Sequence, residues 1–258
     1  MKENFIRVLG SADWHQTKFN DHSCYTIDDK VLIDACPSVV THLQEHGVDP
    51  LDIPVVCFTH MHCDHYMGLA PLLHYWRVCK DRRLGGLTIA GPKADVTDVV
   101  MSTLQFVFRD QLSSCVIEMP RIIELDGEAS LDIQGYHIQV MNSDHAVPGL
   151  CYRICDTETK HTIGLTGDTA YIPSFGQFFH QVDLLVHEAS HGAGPVDSIN
   201  RSRHSSAREA AQVCKEANVK KLLLSHTYEP QREAALAEAR RQLNIPVEWA
   251  LPHEVFTY

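Results

Sequence analysis

Residues Thr59-His60-Met61-His62-Cys63-Asp64-His65-Tyr66-Met67-Gly68-Leu69 place three histidines and a carboxylate within six consecutive positions. The apolar run Pro54-Val55-Val56-Cys57-Phe58 leads into them, and a largely apolar, helix-like segment from His65 to Val78 leaves them. This predicts a buried strand, a loop carrying polar side chains, and a helix. His60 and His62 alternate on an extended backbone and point the same way, while Asp64 and His65 turn to a second position. Neutral imidazoles and a carboxylate are the ligands that zinc and its first-row neighbours prefer. Two residues for one ion and two for an adjacent ion is the natural division. Gly68 is expected to let the chain turn tightly beneath the ions.

H-x-H-x-D-H after a buried strand and before a glycine resembles the ligand motif of the metallo-β-lactamase superfamily of metal-dependent hydrolases. The resemblance implies a four-layered αββα sandwich with two metals at one edge between the sheets. It also implies three further ligands, in order, along the chain.

Composition is compatible with such a protein. Of 258 residues, 44% are apolar, ample for a core, and one domain over residues 1–258 is expected. Seventeen histidines fit a metalloprotein. The nine cysteines are scattered without a C-x-x-C pair, which predicts free thiols and a cytoplasmic setting rather than a disulfide scaffold. The start of the chain has no signal-peptide core, and no apolar run approaches a membrane span. The net charge of −11 opposes broad attraction to a phosphate backbone, although bound metals supply positive charge locally.

Read in order, Phe5 to Gly10 is a first strand, Ser11 to Ser23 a polar loop, and Cys24 to Ile27 with Val31 to Ala35 a hairpin. Pro37 to His46 is a helix stopped by Gly47. After the histidine-rich loop and its helix come a strand at Leu87 to Ala90 and a helix from Lys93 to about Phe108. Strands at Cys115 to Met119, Ile122 to Leu125, Leu131 to Ile133 and Tyr136 to Met141 follow. The second half alternates strands and helices again, so the class is layered α/β with mixed sheets and outer helices. His74 reads as helix surface, His15 and His22 as loop residues, and Cys63 as a bystander facing away from its neighbours. Cys36, Cys57, Cys151 and Cys155 read as small buried apolar residues.

By resemblance, Asp34 at the end of its strand lies beneath the metal loop and holds it by hydrogen bonds. His145 in Asn142-Ser143-Asp144-His145 stands where a third histidine for the first ion belongs; His137 competes but sits within an alternating strand. Asp168, ending Thr162-Ile163-Gly164-Leu165-Thr166-Gly167-Asp168, matches the bridging aspartate. His226, ending Lys221-Leu222-Leu223-Leu224-Ser225-His226, is the last ligand. The expected set is therefore His60, His62 and His145 on one ion, Asp64, His65 and His226 on the other, and Asp168 between them. Two zinc ions are expected; manganese or iron also suits these donors.

Two further stretches narrow the reaction. Asp183-Leu184-Leu185-Val186-His187-Glu188-Ala189-Ser190 and Arg203-His204-Ser205-Ser206-Ala207 resemble the His-Glu-Ala and His-Ser-Thr signatures of the ribonuclease Z branch, which cleaves phosphodiesters in transfer-RNA precursors. Carried over, His204 is the general acid, Glu188 orients it, and Asp64 is both ligand and catalytic residue. The expected reaction is attack on phosphorus by hydroxide held between two metals, with His204 protonating the leaving alkoxide. The branch's transfer-RNA-clamping arm would follow His145, but only 23 positions separate His145 from Asp168, and two strands with a turn fill them. The expected substrate is thus a small phosphodiester or short nucleic acid, and the resemblance implies a homodimer burying the apolar helix after the metal loop. Rival expectations are thioester, lactone or lactam hydrolysis on the same site, and a non-catalytic metal-binding module.

Overall fold

Side chains alternate between two buried faces along the central strands, and the alternation builds layers. The structure is a computed structural model describing residues 3–79, 84–109 and 118–258. Most of the strand expected at Cys115 to Met119 lies outside the described residues. In chain order the elements are β1 (Phe5–Gly10), β2 (Cys24–Ile27), β3 (Val31–Ile33), α1 (Val39–Glu45), β4 (Val55–Cys57), α2 (Cys63–Tyr66), α3 (Leu69–Cys79), β5 (Thr88–Pro92), α4 (Val96–Phe108) and β6 (Arg121–Leu125). Then come β7 (Ser130–Ile133), β8 (Tyr136–Asn142), β9 (Leu150–Asp156), β10 (Thr162–Leu165), α5 (Phe175–Phe178), β11 (Leu184–Glu188), α6 (Ala207–Ala217), β12 (Leu222–Ser225), α7 (Arg232–Gln242), β13 (Val247–Trp249) and β14 (Val255–Thr257).

Among the described residues the strands form two sheets, ordered β14-β1-β2-β3-β4-β5-β6 and β13-β12-β11-β10-β9-β8-β7. Val31 and Ile33 of β3 and Val55 and Cys57 of β4 pack inward against Ile163 and Leu165 of β10 and Leu184 and Val186 of β11. The intervening Leu32 and Val56 face outward onto α1, α3 and α4, and Leu185 faces outward in the second sheet, toward the cluster built by α5, α6 and α7. Successive strand residues point to opposite faces, so strands buried on both sides read as unbroken apolar runs. Helix spacing completes the layers. Leu69, Leu72, Leu73 and Trp76 form the buried stripe of α3, and Val96, Val100, Leu104 and Phe108 that of α4. The result is the expected αββα sandwich. Among the described residues no helix is long and apolar enough to cross a membrane.

Parallel pairing positions the site. β3 pairs in parallel with β4, and β10, β11 and β12 pair in parallel with one another. The segments leaving their C-terminal ends therefore emerge together, on the side where open α/β sheets expose side chains to ligands.

Four local expectations are corrected. The first helix is shorter than Pro37 to His46, with Ser38 before its first turn. The helix expected from His65 onward is two pieces, α2 and α3, broken at Met67-Gly68. Gly68 is required by close approach, not by a left-handed turn: its N–H donates to Ala35 O at 2.9 Å, and a Cβ there would lie 2.0 Å from the Cys36 carbonyl oxygen. Cys155 is only partly buried, unlike Cys36, Cys57 and Cys151. Gly68→Ala must push two backbone segments apart and is expected to cost about 1–3 kcal/mol, the range for overpacking. Urea unfolding measures it, and an unchanged midpoint would contradict the close-approach account.

Candidate metal centre

The structure brings all seven expected ligands to one place. His60, His62, Asp64 and His65 follow β4, His145 follows β8, Asp168 follows β10, and His226 follows β12. The loops are tied across the sheets, since Leu150 N donates to Thr59 O at 2.7 Å and His226 N to Ser11 O at 2.9 Å. His62 Nδ1 lies 3.1 Å from both His60 Nε2 and His145 Nε2. Asp64 Oδ2 lies 3.7 Å from His65 Nε2 and 3.6 Å from His226 Nε2. Asp168 Oδ2 stands between the two groups, 3.7 Å from His60 Nε2, 3.5 Å from His65 Nε2 and 3.4 Å from His226 Nε2.

Neighbours fix which nitrogen of each ring faces the cluster. Thr59 Oγ1 donates to Asp34 Oδ2 at 2.8 Å and accepts from His60 Nδ1 at 3.1 Å. Asp34 Oδ2 accepts from His65 Nδ1 at 2.8 Å, and Asp34 Oδ1 accepts from Thr59 N at 2.7 Å. His145 Nδ1 donates to Arg203 O at 3.2 Å, and the Arg203 guanidinium returns a hydrogen bond to His145 O at 3.0 Å. Ser190 Oγ accepts from His226 Nδ1 at 2.9 Å and donates to His226 O at 3.0 Å. Four rings thus direct a lone pair on Nε2 at the cluster, and a carboxylate, hydroxyl or carbonyl accepting the other N–H is the usual support of a metal-binding histidine. Thr59, Ser190 and Arg203 were not singled out from the sequence. Their only signal is adjacency to motif residues, Thr59 before His60, Arg203 before His204 and Ser190 two positions after Glu188.

The donors fit divalent cations. His65 Nε2, His226 Nε2 and Asp168 Oδ1 are buried without a hydrogen-bond partner among the described residues. Buried polar atoms are normally satisfied, so three such atoms on residues of one cluster call for a bound group. The groups His60-His62-His145, His60-His65-Asp168 and Asp64-His65-His226 can each hold an ion. Nitrogen donors at zinc's usual 2.0–2.1 Å in a tetrahedron lie about 3.3 Å apart, near the 3.1 Å found between the first group's rings. Without cations the cluster is electrostatically uneven. Burial and neighbouring rings push the pKa of His60 well below its ordinary value. Burial also opposes charge on His65, but Asp168 and Asp34 overcome it and raise that pKa well above the ordinary value. Burial opposes ionisation of Asp168, yet His226 and His65 hold its pKa well below the carboxylate range.

Glu188 ends β11, buried, with Oε1 accepting from Thr169 N at 2.8 Å and from His204 Nδ1 at 2.9 Å, and Oε2 accepting from Ser190 N at 3.0 Å. His204 lies between two cluster rings, stacked on His226 and edge-on to His145. Burial lowers the His204 pKa, but the Glu188 hydrogen bond and charge outweigh it and bring it to about 9. Without cations the imidazolium therefore predominates at neutral pH, and with Nδ1 on Glu188, Nε2 is the nitrogen that can meet a substrate. Helix α6 starts just after His204: Ser206 is its N-cap residue, and the Ser206 N–H donates to Glu209 Oε2 at 2.9 Å.

His191 lies edge-on to His204, with Nε2 2.9 Å from Ser202 Oγ; His137, His22, His187 and His15 stand outside the cluster. His137 on β8 pairs with Asp132 on β7, His22 Nδ1 donates to Asp13 O, and His187 Nδ1 to Glu188 O. His15 lies edge-on to Trp14 and Tyr228. Cys63 is exposed. A cleft of about 670 Å³ adjoins His145, lined among others by Lys93, Glu124, Asn142 and Pro148.

Two mixed sheets enclosed by helices, with a histidine–aspartate cluster at the strand ends, define a metallo-β-lactamase-type sandwich. The profile of the beta-lactamase superfamily domain matches residues 29–227, and the chain belongs to that family. It is a metal-dependent hydrolase of the ribonuclease Z-like branch. Ribonuclease Z of Exiguobacterium sibiricum is 25% identical over 257 aligned positions, covering 80% of this chain and 82% of that one. The metallo-beta-lactamase fold protein YhfI of Bacillus subtilis superposes with a TM-score of 0.83 at 22% identity over the whole of both chains. The short form of human tRNase Z superposes with a TM-score of 0.74 at 19% identity over 98% of each.

Asp34 is the residue whose loss tests how the site is held. Asp34→Ala leaves buried N–H groups of Thr59 and His65 without their acceptor and is expected to cost about 3–5 kcal/mol, as for a broken buried pair. Denaturant unfolding of both proteins checks this, and a loss below about 1 kcal/mol would mean that the loop is held elsewhere.

Proposed function

We propose that the protein is a phosphodiesterase that holds two divalent cations, zinc by preference, and uses His204 as general acid. In this reading His60, His62 and His145 hold one cation, Asp64, His65 and His226 the other, and Asp168 both. Manganese or iron is compatible with the same donors. When bound, the cations supply charge stabilisation at the phosphoryl oxygens and acidify the attacking water. The observation that carries the reading is the Glu188–His204 pair, 2.9 Å apart and wedged against two rings of the cluster. Acyl hydrolysis has no need of it, whereas expulsion of an alkoxide from phosphorus does. Water gives up one proton to solvent and adds to phosphorus, the bond to the leaving oxygen breaks, and His204 Nε2 gives that oxygen its proton, regaining one from solvent afterwards. Glu188, anchored by two backbone N–H groups, holds the ring and stabilises its charged form.

The relatives named ribonuclease Z support phosphodiester chemistry. A small diester or short nucleic acid is the preferred substrate. β9, β10 and their turn occupy the interval between His145 and Asp168 where an RNA-clamping arm would emerge, and the adjoining cleft has the volume of a small-molecule site. The reading includes a homodimer, supported by exposed Met67, Met101 and Phe106 around α3 and α4. Phe106→Glu is expected to shift light-scattering mass from dimer to monomer; an unchanged mass would remove this face from the assembly.

The leaving group provides the test of the acid. With metal content matched, His204→Ala is expected to lower kcat by about 10²–10⁴ for a dinucleotide with an alkoxide leaving group. The loss should be much smaller for bis(p-nitrophenyl) phosphate, whose phenolate departs without a proton. Equal losses on both would remove His204 as the acid. Turnover of a thioester or lactone with none on either diester would favour the acyl-hydrolase reading.

A further inference from the structure

A second group of metal-type donors lies outside the cluster and shares no residue with it. His42, Glu45 and His46 belong to the last turn of α1 and the residue after it, spaced three and four apart, so they share one helix face. His253 approaches them from the segment between β13 and β14. His46 Nε2 lies 3.1 Å from His253 Nδ1, and His42 Nδ1 lies 3.2 Å from Glu45 Oε2. The His42 and His253 rings are 5.1 Å apart, and donor atoms of His42, Glu45 and His253 all fall within 4.8 Å of one another.

We propose that His42, Glu45, His46 and His253 form a second site for a divalent transition-metal ion of the zinc class, clipping α1 to the segment between β13 and β14. The donor chemistry is that of zinc, and these separations approach the roughly 3.3 Å edge of a tetrahedral zinc site. They also match the 3.1 Å contacts among His60, His62 and His145. A carboxylate stands behind the ring: with Nδ1 of His42 turned to the site, its buried Nε2 lies 3.4 Å from Asp21 Oδ2, an ion-pair contact rather than a formed hydrogen bond. Asp21 is itself fixed by the N–H groups of Ser38 and His22. A carboxylate behind a histidine is the arrangement that orients metal-binding imidazoles.

Histidine at the end of a helix also has an ordinary explanation, its attraction to the negative end of the helix dipole. That accounts for His42 and His46 but not for His253, which arrives from 207 positions away. His253 adopts a left-handed backbone (φ +67°), unfavourable for a residue with a side chain, and is held there by donating its N–H to Val8 O at 2.8 Å. The fold fixes a strained residue in the position that points its imidazole at α1.

The experiment counts zinc per chain in full-length protein by mass spectrometry of the metal after equilibrium dialysis. It compares wild type with His253→Asn, which tolerates the left-handed backbone, and His46→Ala on the helix face; His74→Ala on α3 is the control. Wild type and the control should bind one more equivalent than either variant. Asp21→Asn should retain that equivalent with about 10–100-fold weaker affinity. Zinc should also raise the melting temperature of wild type more than that of His253→Asn, because only the intact site couples binding to folding there. Equal zinc content in wild type, His253→Asn and His46→Ala would overturn the proposal, whatever the main cluster binds.

Discussion

The site depends on one buried carboxylate. Asp34 ends β3 in a left-handed backbone, and its N–H extends the β3–β4 ladder by donating to Cys57 O at 2.9 Å. Its side chain then takes hydrogen bonds from Thr59 N, Thr59 Oγ1 and His65 Nδ1. Through Thr59 it also orients His60, so a single carboxylate aligns rings belonging to both halves of the cluster. Burying a charge costs several kcal/mol, which three charge-assisted hydrogen bonds offset only where geometry is maintained. Backbone bonds maintain it here, Ala35 N to His65 O and Gly68 N to Ala35 O, and these are why the chain at position 68 has no room for a Cβ.

What surrounds this anchor is an arrangement of tautomers. Five imidazoles cannot converge on two carboxylates as a neutral apolar core would, and they cannot all carry charge. Thr59, Asp34, Arg203 and Ser190 settle the matter by accepting the outward N–H of four rings, leaving Nε2 lone pairs turned inward. His204 is the exception that gives the site its asymmetry. It faces Glu188 rather than a hydroxyl or carbonyl, and is thereby held protonated beside rings that present lone pairs. A proton donor next to a concentration of lone pairs and carboxylates is the physical basis of the proposed chemistry.

Much of this was legible in the sequence because it is local. The strand before His60 is a short apolar run, His60 and His62 alternate on extended backbone, and Asp168 and His226 each end an apolar strand. The fold follows from the same signals, since strands buried on both faces require helices outside and a second sheet within. The contacts of Asp34 and Glu188 were expected by resemblance, but those of Thr59, Ser190 and Arg203 to the rings were not legible, because they leave no periodicity in the sequence. Nothing in Arg203 announces that it exchanges hydrogen bonds with His145, 58 positions earlier. Gly68 was recognisable as necessary but for a different reason, since a glycine letter does not distinguish a left-handed turn from a crowded crossing. The break between α2 and α3 was hidden because apolar residues continue across it.

The central claim is that the seven residues hold two cations bridged by Asp168, with His204 beside them. Anomalous diffraction at the zinc edge, from crystals grown with zinc, tests it most directly. The account predicts one peak among His60, His62, His145 and Asp168, and a second among Asp64, His65, His226 and Asp168. A single peak within the cluster, or none, would contradict it.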